Sequence, residues 1–218
     1  VKTALIIGST GLIGSQLLNF LLDSNDYLKV ITFVKRDSGI KHPKLTQHII
    51  DFDNPETYKE LVVGDDFFCT IGTTIKKAGS KKAFKKVDFE YPRQFAAFAL
   101  QNRVKQFLII SSLNADSKSQ NSYLKTKGEI QDFLKDCNFE SVVVLQPSLL
   151  LGNRTEFRLG EKVGAFFMKT LSFLFLGNLK KYKPIEGKTV AKALLKIAQI
   201  NNTGFKIYES DAIQEIGN

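Results

Sequence analysis

Tyr123 and Lys127 stand four residues apart, a spacing that turns both side chains to one face of a helix. A phenol is nearly all protonated at neutral pH, and a neighbouring ammonium favours its ionised form. Such a pair can give a proton to a carbonyl oxygen as hydride arrives at carbon, or run that step in reverse. Ser111 and Ser112 precede the pair by one polar loop, and either hydroxyl can hydrogen-bond a reacting oxygen and share its developing charge. Taken singly these are ordinary features: a packed ring beside a solvated charge, and two turn-forming serines. Their order along the chain, with the two features described next, is what gives them meaning.

The first of these is Gly8-Ser9-Thr10-Gly11-Leu12-Ile13-Gly14, which follows the apolar run Ala4 to Ile7 and runs into Ser15 to Leu22. This reads as a buried strand, a glycine turn and the start of a helix. Gly8 permits the tight turn, Gly11 lets backbone amides approach an anion, and Gly14 lets helix and strand pack closely. A helix N-terminus offers free N–H groups and partial positive charge to a pyrophosphate. The second feature is Lys35-Arg36 at the end of the next strand. An acidic residue there binds ribose hydroxyls, whereas a basic one accommodates a 2'-phosphate. Arg36 can pair with that phosphate through two hydrogen bonds and Lys35 adds a second charge. NADP is favoured, with Asp37 keeping NAD open.

Apolar runs alternate with helical ones along most of the chain. Strands are expected over 28–34, ending at Ile50, over 67–71, 107–110 and 142–145, with a last one at 205–208. Helices are expected from Pro55-Glu56, over about 81–102 with a kink or break at Tyr91-Pro92, over 122–135 and over 189–200. This rhythm predicts an α/β fold: a Rossmann-type doubly wound parallel sheet with helices on both faces. Right-handed crossovers put the strand ends, and therefore all four features, along one edge. Residues 1–218 are expected to form a single NAD(P)-binding domain, with 152–218 as a small C-terminal, substrate-side extension. Within that extension Val163 to Leu176 is the most hydrophobic segment. At well under the ~20 residues of a bilayer span it reads as a buried helix, or a subunit or membrane-surface contact.

The chain has 218 residues, 43% of them hydrophobic, enough for a full core. Cys69 and Cys137 form no CxxC pair and two histidines give no zinc pattern, so neither a disulfide framework nor a metal site is expected. No signal-peptide pattern is seen, and the expectation is cytoplasmic. The net charge of +9 concentrates in Lys76-Lys77, 81–86 and 180–183. It reads as solvated faces or as attraction for anions. No element that reads nucleic acid is evident.

The order of glycine turn, basic strand end, serine pair and Tyr-x-x-x-Lys resembles the short-chain dehydrogenase/reductase superfamily. The Gly-x-x-Gly-x-x-Gly spacing and the length resemble its atypical branch. More narrowly the chain resembles the family of the HIV Tat-interactive protein oxidoreductase and its bacterial relatives. The matching stretches are Gly8 to Gly14, Val34-Lys35-Arg36, Asp51-Phe52, Cys69 to Thr74 with Lys77-Ala78-Gly79, Ser111-Ser112, Tyr123 to Glu129, and Pro147 through Arg158. The resemblance implies NADP contacts at Gly8, Ser9, Thr10, Gly11, Leu12, Ile13 and Gly14, at Lys35 and Arg36, at Asp51 and Phe52, and at Ile71 and Gly72. It also implies that Tyr123 and Lys127 hold the nicotinamide ribose and that Leu150 and Arg158 complete the site. Two departures stand out: Lys35 where relatives often have arginine, and Gln146-Pro147-Ser148 where they often have Arg-Pro-Gly. The expected activity is that of an NADP(H)-dependent oxidoreductase on a carbonyl or alcohol, with Tyr123, Lys127 and Ser112 or Ser111 catalytic. A regulatory NADPH-binding protein with little turnover, with a homodimer or protein partner at Val163 to Leu176 or Lys81 to Lys86, and a sugar-nucleotide epimerase fit the same residues.

Overall fold

The computed structural model describes residues 1–151, 177–200 and 202–218. Arg158 and the hydrophobic Val163 to Leu176 segment lie outside the described residues. Seven strands form one parallel sheet: β1 (Lys2–Ile7), β2 (Tyr27–Val34), β3 (Leu45–Ile49), β4 (Asp66–Cys69), β5 (Gln106–Ile110), β6 (Ser141–Gln146) and β9 (Gly204–Glu209). Their spatial order is 3-2-1-4-5-6-9. A short parallel pair, β7 (Leu150–Leu151) with β8 (Ile185–Glu186), sits apart from the sheet and has no signal in the sequence.

Both faces of the sheet are covered, and β1 shows why its sequence is continuously apolar. Ala4 and Ile6 point into a core made with Leu17, Leu18 and Leu21 of α1 (Leu12–Asp23). Leu5 and Ile7 point the other way, into a core holding Phe33, Phe67 and Phe95. A strand buried on both faces cannot alternate with polar residues. The first layer is completed by two later helices that pack on α1's side, over Gly187–Gln199 and Ser210–Gly217. The second is aromatic, with Phe67 stacked on Phe107 at 4.8 Å and Tyr58 on Phe95 at 5.1 Å.

One expectation is corrected here and another takes a particular form. Pro55-Glu56 opens no α-helix but two short 3-10 turns, Pro55–Thr57 and Lys59–Leu61. Between them Tyr58 leaves helical geometry (φ −131°, ψ 0°) to bury its ring, which a continuous helix would not allow. The interruption expected at Tyr91-Pro92 takes the form of a widened turn just before it rather than a break in the chain. After α2 (Ile75–Ala78) and α3 (Lys81–Lys85), a π-helical turn over Lys86–Glu90 leads directly into α4 (Tyr91–Gln101). The Tyr91 amide reaches back five residues to the Lys86 carbonyl. That widened turn absorbs the missing N–H of Pro92 at the head of α4. By contrast α5 (Ser122–Lys135) has the expected bounds, with Asn121 capping the Tyr123 and Leu124 amides.

The reversal of strand order lies between β1 and β4, so the crevice outside their carboxyl ends is where this architecture binds ligands. Its floor is pinched. Gly8 has φ +82°, and a Cβ there would lie 2.5 Å from the Ile71 amide nitrogen. A Cβ on Gly14 would fall on the Gly8 carbonyl oxygen and against the Thr70 hydroxyl. Helix α1 therefore rests backbone to backbone on the turn that precedes it. Gly14→Ala is expected to cost about 1–3 kcal/mol of stability in urea unfolding, because the methyl has no space to enter. An unchanged midpoint would mean that the helix can slide.

Candidate active site

The carboxyl edge of the sheet carries two clusters joined by one dipeptide. The first is a cleft of about 330 Å³ lined by Gly8, Ser9, Thr10, Phe33, Lys35, Arg36, Phe52 and Ile71 among others. Gly11 immediately precedes α1, no side chain caps that helix, and no acidic residue lies in its first turn. The turn thus presents backbone amides and a helix dipole without a competing anion. Gly11 and Thr10 are exposed, Leu12 is half-buried, and Ile13 is buried in the core, so only backbone of Ile13 can face a ligand.

Phe52 forms one wall, its ring packed on Tyr91 at 5.1 Å. Lys35 lies across both rings, its Nζ 5.6 Å from each centroid. Arg36 is exposed at the rim. Asp37 also lines the cleft, and its Oδ1 accepts hydrogen bonds from the Gly39 amide at 2.8 Å and the Gln47 side chain at 2.6 Å. The Gly39 bond, with that of Gln47, holds its carboxyl below the usual range. Asp51 is exposed and accepts the Asp53 amide at 3.0 Å, shaping the turn that delivers Phe52. Asp53 in turn takes the Tyr91 hydroxyl at 2.7 Å and pairs with Lys86 at 2.8 Å. The Lys86 and Tyr91 bonds lower its pKa.

The second cluster centres on Lys127. Its side chain is only 6% exposed, and its Nζ lies 2.7 Å from Oδ1 of Asp88, which is fully buried on the π turn. The Ile110 carbonyl lies 3.4 Å away. Burial by itself would push the lysine down; the charge of Asp88 more than offsets this and holds the ammonium above its ordinary value. The other carboxylate oxygen of Asp88 accepts the Thr73 amide at 2.9 Å. Gly72 abuts the pair: a Cβ there would sit 3.3 Å from Asp88 Oδ1 and 3.6 Å from Lys127 Nζ. Ile71 and Gly72 thus join the two clusters, Ile71 lining the cleft and Gly72 touching the ion pair.

Tyr123 is half-buried one turn before Lys127, its ring stacked on Phe84 of α3 at 5.5 Å. The two serines diverge. Ser111 is buried, and its hydroxyl accepts from Gln131, whose carbonyl accepts from Gln146 at 2.9 Å. Gln146, the departure noted after strand six, completes that chain. Ser112 is half-buried and, among the described residues, bonds only weakly to the Leu113 carbonyl at 3.3 Å. Ser112 therefore keeps a hydroxyl for a ligand, whereas Ser111 spends its own on fixing α5 to the sheet. Leu150 is half-buried in β7 against the α1 core and is not among the residues that line the cleft. Cys69, at the end of β4, is fully buried, and burial pushes its thiol up to about 12. Among the described residues no group of His, Cys, Asp and Glu could hold a metal ion.

Asp88, Phe84 and Tyr91 are the functional positions that the motifs did not mark. Their signal was a stripe, since 84, 88, 91 and 95 share the buried face of one helical run. An acid on such a stripe must be paired, and Lys127 is its partner.

This fold and cleft define an NAD(P)-binding Rossmann-type protein. Residues 8–172 match the model of the NAD(P)H-binding family, and the chain belongs to that family. It is 31% identical over 202 residues to the mitochondrial protein FMP52 of Debaryomyces hansenii, an overlap covering 90% of this chain and 87% of that one. It is 29% identical over 221 residues to protein HTATIP2 of Rattus norvegicus, covering 99% and 89%. Among solved structures, the oxidoreductase ylbE of Lactococcus lactis superposes with a TM-score of 0.68 at 17% identity, covering 99% of this chain and 94% of that one. The Bordetella bronchiseptica enzyme WbmH, solved in complex with NAD+, gives 0.72 at 17% identity, covering 99% and 79%.

Because Asp88 is fully enclosed, removing its counter-ion strands a charge. Lys127→Met is expected to lower stability by about 3–5 kcal/mol in chemical denaturation, well beyond the loss at an exposed lysine. A change below about 1 kcal/mol would show that water reaches the carboxylate freely.

Proposed function

We propose that the protein is an NADP(H)-dependent oxidoreductase acting on a carbonyl or alcohol. The observation that carries this reading is the meeting at Gly72. The loop that borders the nucleotide cleft runs straight against the ammonium of the Tyr-x-x-x-Lys helix. The glycine turn rests on Thr70 and Ile71 and the lysine lies beside Gly72, so two independent sequence motifs meet on three consecutive residues of the loop after β4.

The cradle fits a dinucleotide. Gly8 and Gly14 are spaces that any side chain would fill, and the uncapped start of α1 suits a pyrophosphate. Preference for the 2'-phosphate rests on Arg36, exposed at the rim, and on Asp37, one of whose carboxylate oxygens already accepts from Gly39 and Gln47. Lys35 adds positive charge above Phe52. In this reading a bound nicotinamide supplies or accepts the hydride. Tyr123 donates its phenolic proton to the substrate oxygen on reduction and regains it on oxidation. Lys127 offers a hydrogen to the ribose hydroxyls and holds positive charge beside the phenol. Ser112 orients the carbonyl. The loop over 114–121 and the segment after Pro147 border the substrate.

Arg36→Ala is expected to weaken NADPH binding about tenfold to a hundredfold, the loss of a charge-assisted pair, and NADH binding by less than about threefold. Equal losses in calorimetry for both nucleotides would remove the argument for NADP. Stopped-flow oxidation of bound NADPH with a panel of carbonyls tests turnover directly. Tyr123→Phe should slow that turnover by about 10²–10⁴ while NADPH affinity is retained; an unchanged rate would exclude the phenol as the proton donor.

A further inference from the structure

We propose that Tyr91 is a positioning residue that sets the choice of nucleotide: its ring, with that of Phe52, holds the Lys35 ammonium at the cleft without neutralising it, so that the charge stays available to a 2'-phosphate. The proposal rests on the NADP(H) part of the proposed function and needs no turnover.

Lys35 follows β2 directly, is exposed, and lines the cleft. A lysine stem there has four rotatable bonds, and their freedom is lost when the ammonium grips a ligand. Holding the stem beforehand removes part of that loss. A carboxylate could hold it, but an acid at this point would cancel the charge and repel a phosphate. Rings do the work instead. Nζ lies 5.6 Å from the centroids of both Phe52 and Tyr91, within the range over which a ring face attracts a cation. The face carries no net charge, so the ammonium keeps its own. Among the described residues no carboxylate forms an ion pair with Lys35.

The rings are themselves fixed. Tyr91 is buried, and its ring packs on that of Phe52 at 5.1 Å. Its hydroxyl donates to Asp53 Oδ1 at 2.7 Å, and Oδ2 of the same carboxylate pairs with Lys86 at 2.8 Å. Lys86 also lies 5.9 Å from the Tyr91 centroid. Two lysines thus share one ring, and Asp53 compensates Lys86 through a direct contact while Lys35 is held by faces alone. Tyr91 is not among the residues that line the cleft, so its influence on a nucleotide runs through Phe52 and Lys35. The Phe52 wall serves either nucleotide alike; only Lys35 distinguishes the extra phosphate.

Calorimetry of the intact chain with NADPH and with NADH separates these two routes. Tyr91→Leu keeps an apolar side chain and removes the ring face. It is expected to weaken NADPH binding about threefold to tenfold and NADH binding by less than about twofold. On a Lys35→Met background the same substitution should move the ratio of the two affinities by less than about twofold, because the residue it acts through is gone. Tyr91→Phe retains the face and should keep the unsubstituted ratio within about twofold. Equal losses for both nucleotides in Y91L, a change of ratio that persists in the double variant, or a Tyr91→Phe ratio as low as that of Y91L overturns the proposal. Should Y91L fail to fold, the unsubstituted protein still answers. The protons beside the Lys35 nitrogen, identified in NMR spectra by their absence from Lys35→Met, are expected upfield of those of other lysines, shielded by the two rings. A signal at the ordinary lysine position would overturn the clamp. Uptake of neither nucleotide by folded protein defeats the NADP(H) reading and this proposal with it, whereas uptake of both with a ratio that Y91L leaves unmoved defeats this proposal alone.

Discussion

The contact on which the rest of the molecule depends is backbone against backbone at the switch in strand order. Gly8 leaves β1 in a left-handed conformation that brings it onto the Thr70–Ile71 peptide at the end of β4, and Gly14 seats α1 on the carbonyl of Gly8. A side chain at either point would push α1 off the sheet or move the loop after β4. Because both are glycine, the helix start, the cleft floor and the Ile71–Gly72 dipeptide take one arrangement. Everything chemical at the edge is measured from that arrangement, including how far Gly72 stands from the ion pair.

A buried charge is costly, and the way this chain meets the cost explains the shape of its central helical region. Lys127 faces inward from α5 against the loop after β4, and only a carboxylate or several carbonyls can satisfy it there. Asp88 supplies the carboxylate from a widened turn, and the same turn relieves the missing amide of Pro92. Phe84 and Tyr91, a turn either side on the same stripe, hold the Tyr123 ring and the Phe52 wall. One helical run thus supports the base of the phenol, the ammonium and the nucleotide wall together. The aromatic layer beneath it gives that run a stiff bed.

The two serines illustrate how neighbouring residues of one type take different work. Strand residues alternate in direction, so consecutive hydroxyls at a strand end cannot share a neighbourhood. Ser111 goes inward to Gln131 and Gln146, and Ser112 stays at the edge. Gln146 suits its place in this light, as an uncharged amide can finish a buried chain of hydrogen bonds that a cation would overfill.

Much of the fold was legible in the sequence, because its signals are local. Glycines at 8, 11 and 14, continuous apolar strands and a capped amphipathic helix at 122–135 each declare themselves within a few residues. So do the class of cofactor and the pairing of Tyr123 with Lys127 on one helix face, since i and i+4 meet whatever surrounds them. The Tyr58 interruption and the π turn were hidden, because both are set by where a distant core demands a ring or an acid rather than by propensity. Asp88 reaching Lys127 across 39 residues, Asp37 lost to Gln47, and Ser111 lost to Gln131 were likewise decided only by tertiary structure. Which polar groups spend their hydrogen bonds on the protein, and which keep them for a ligand, depends on partners far along the chain, and no spacing records them.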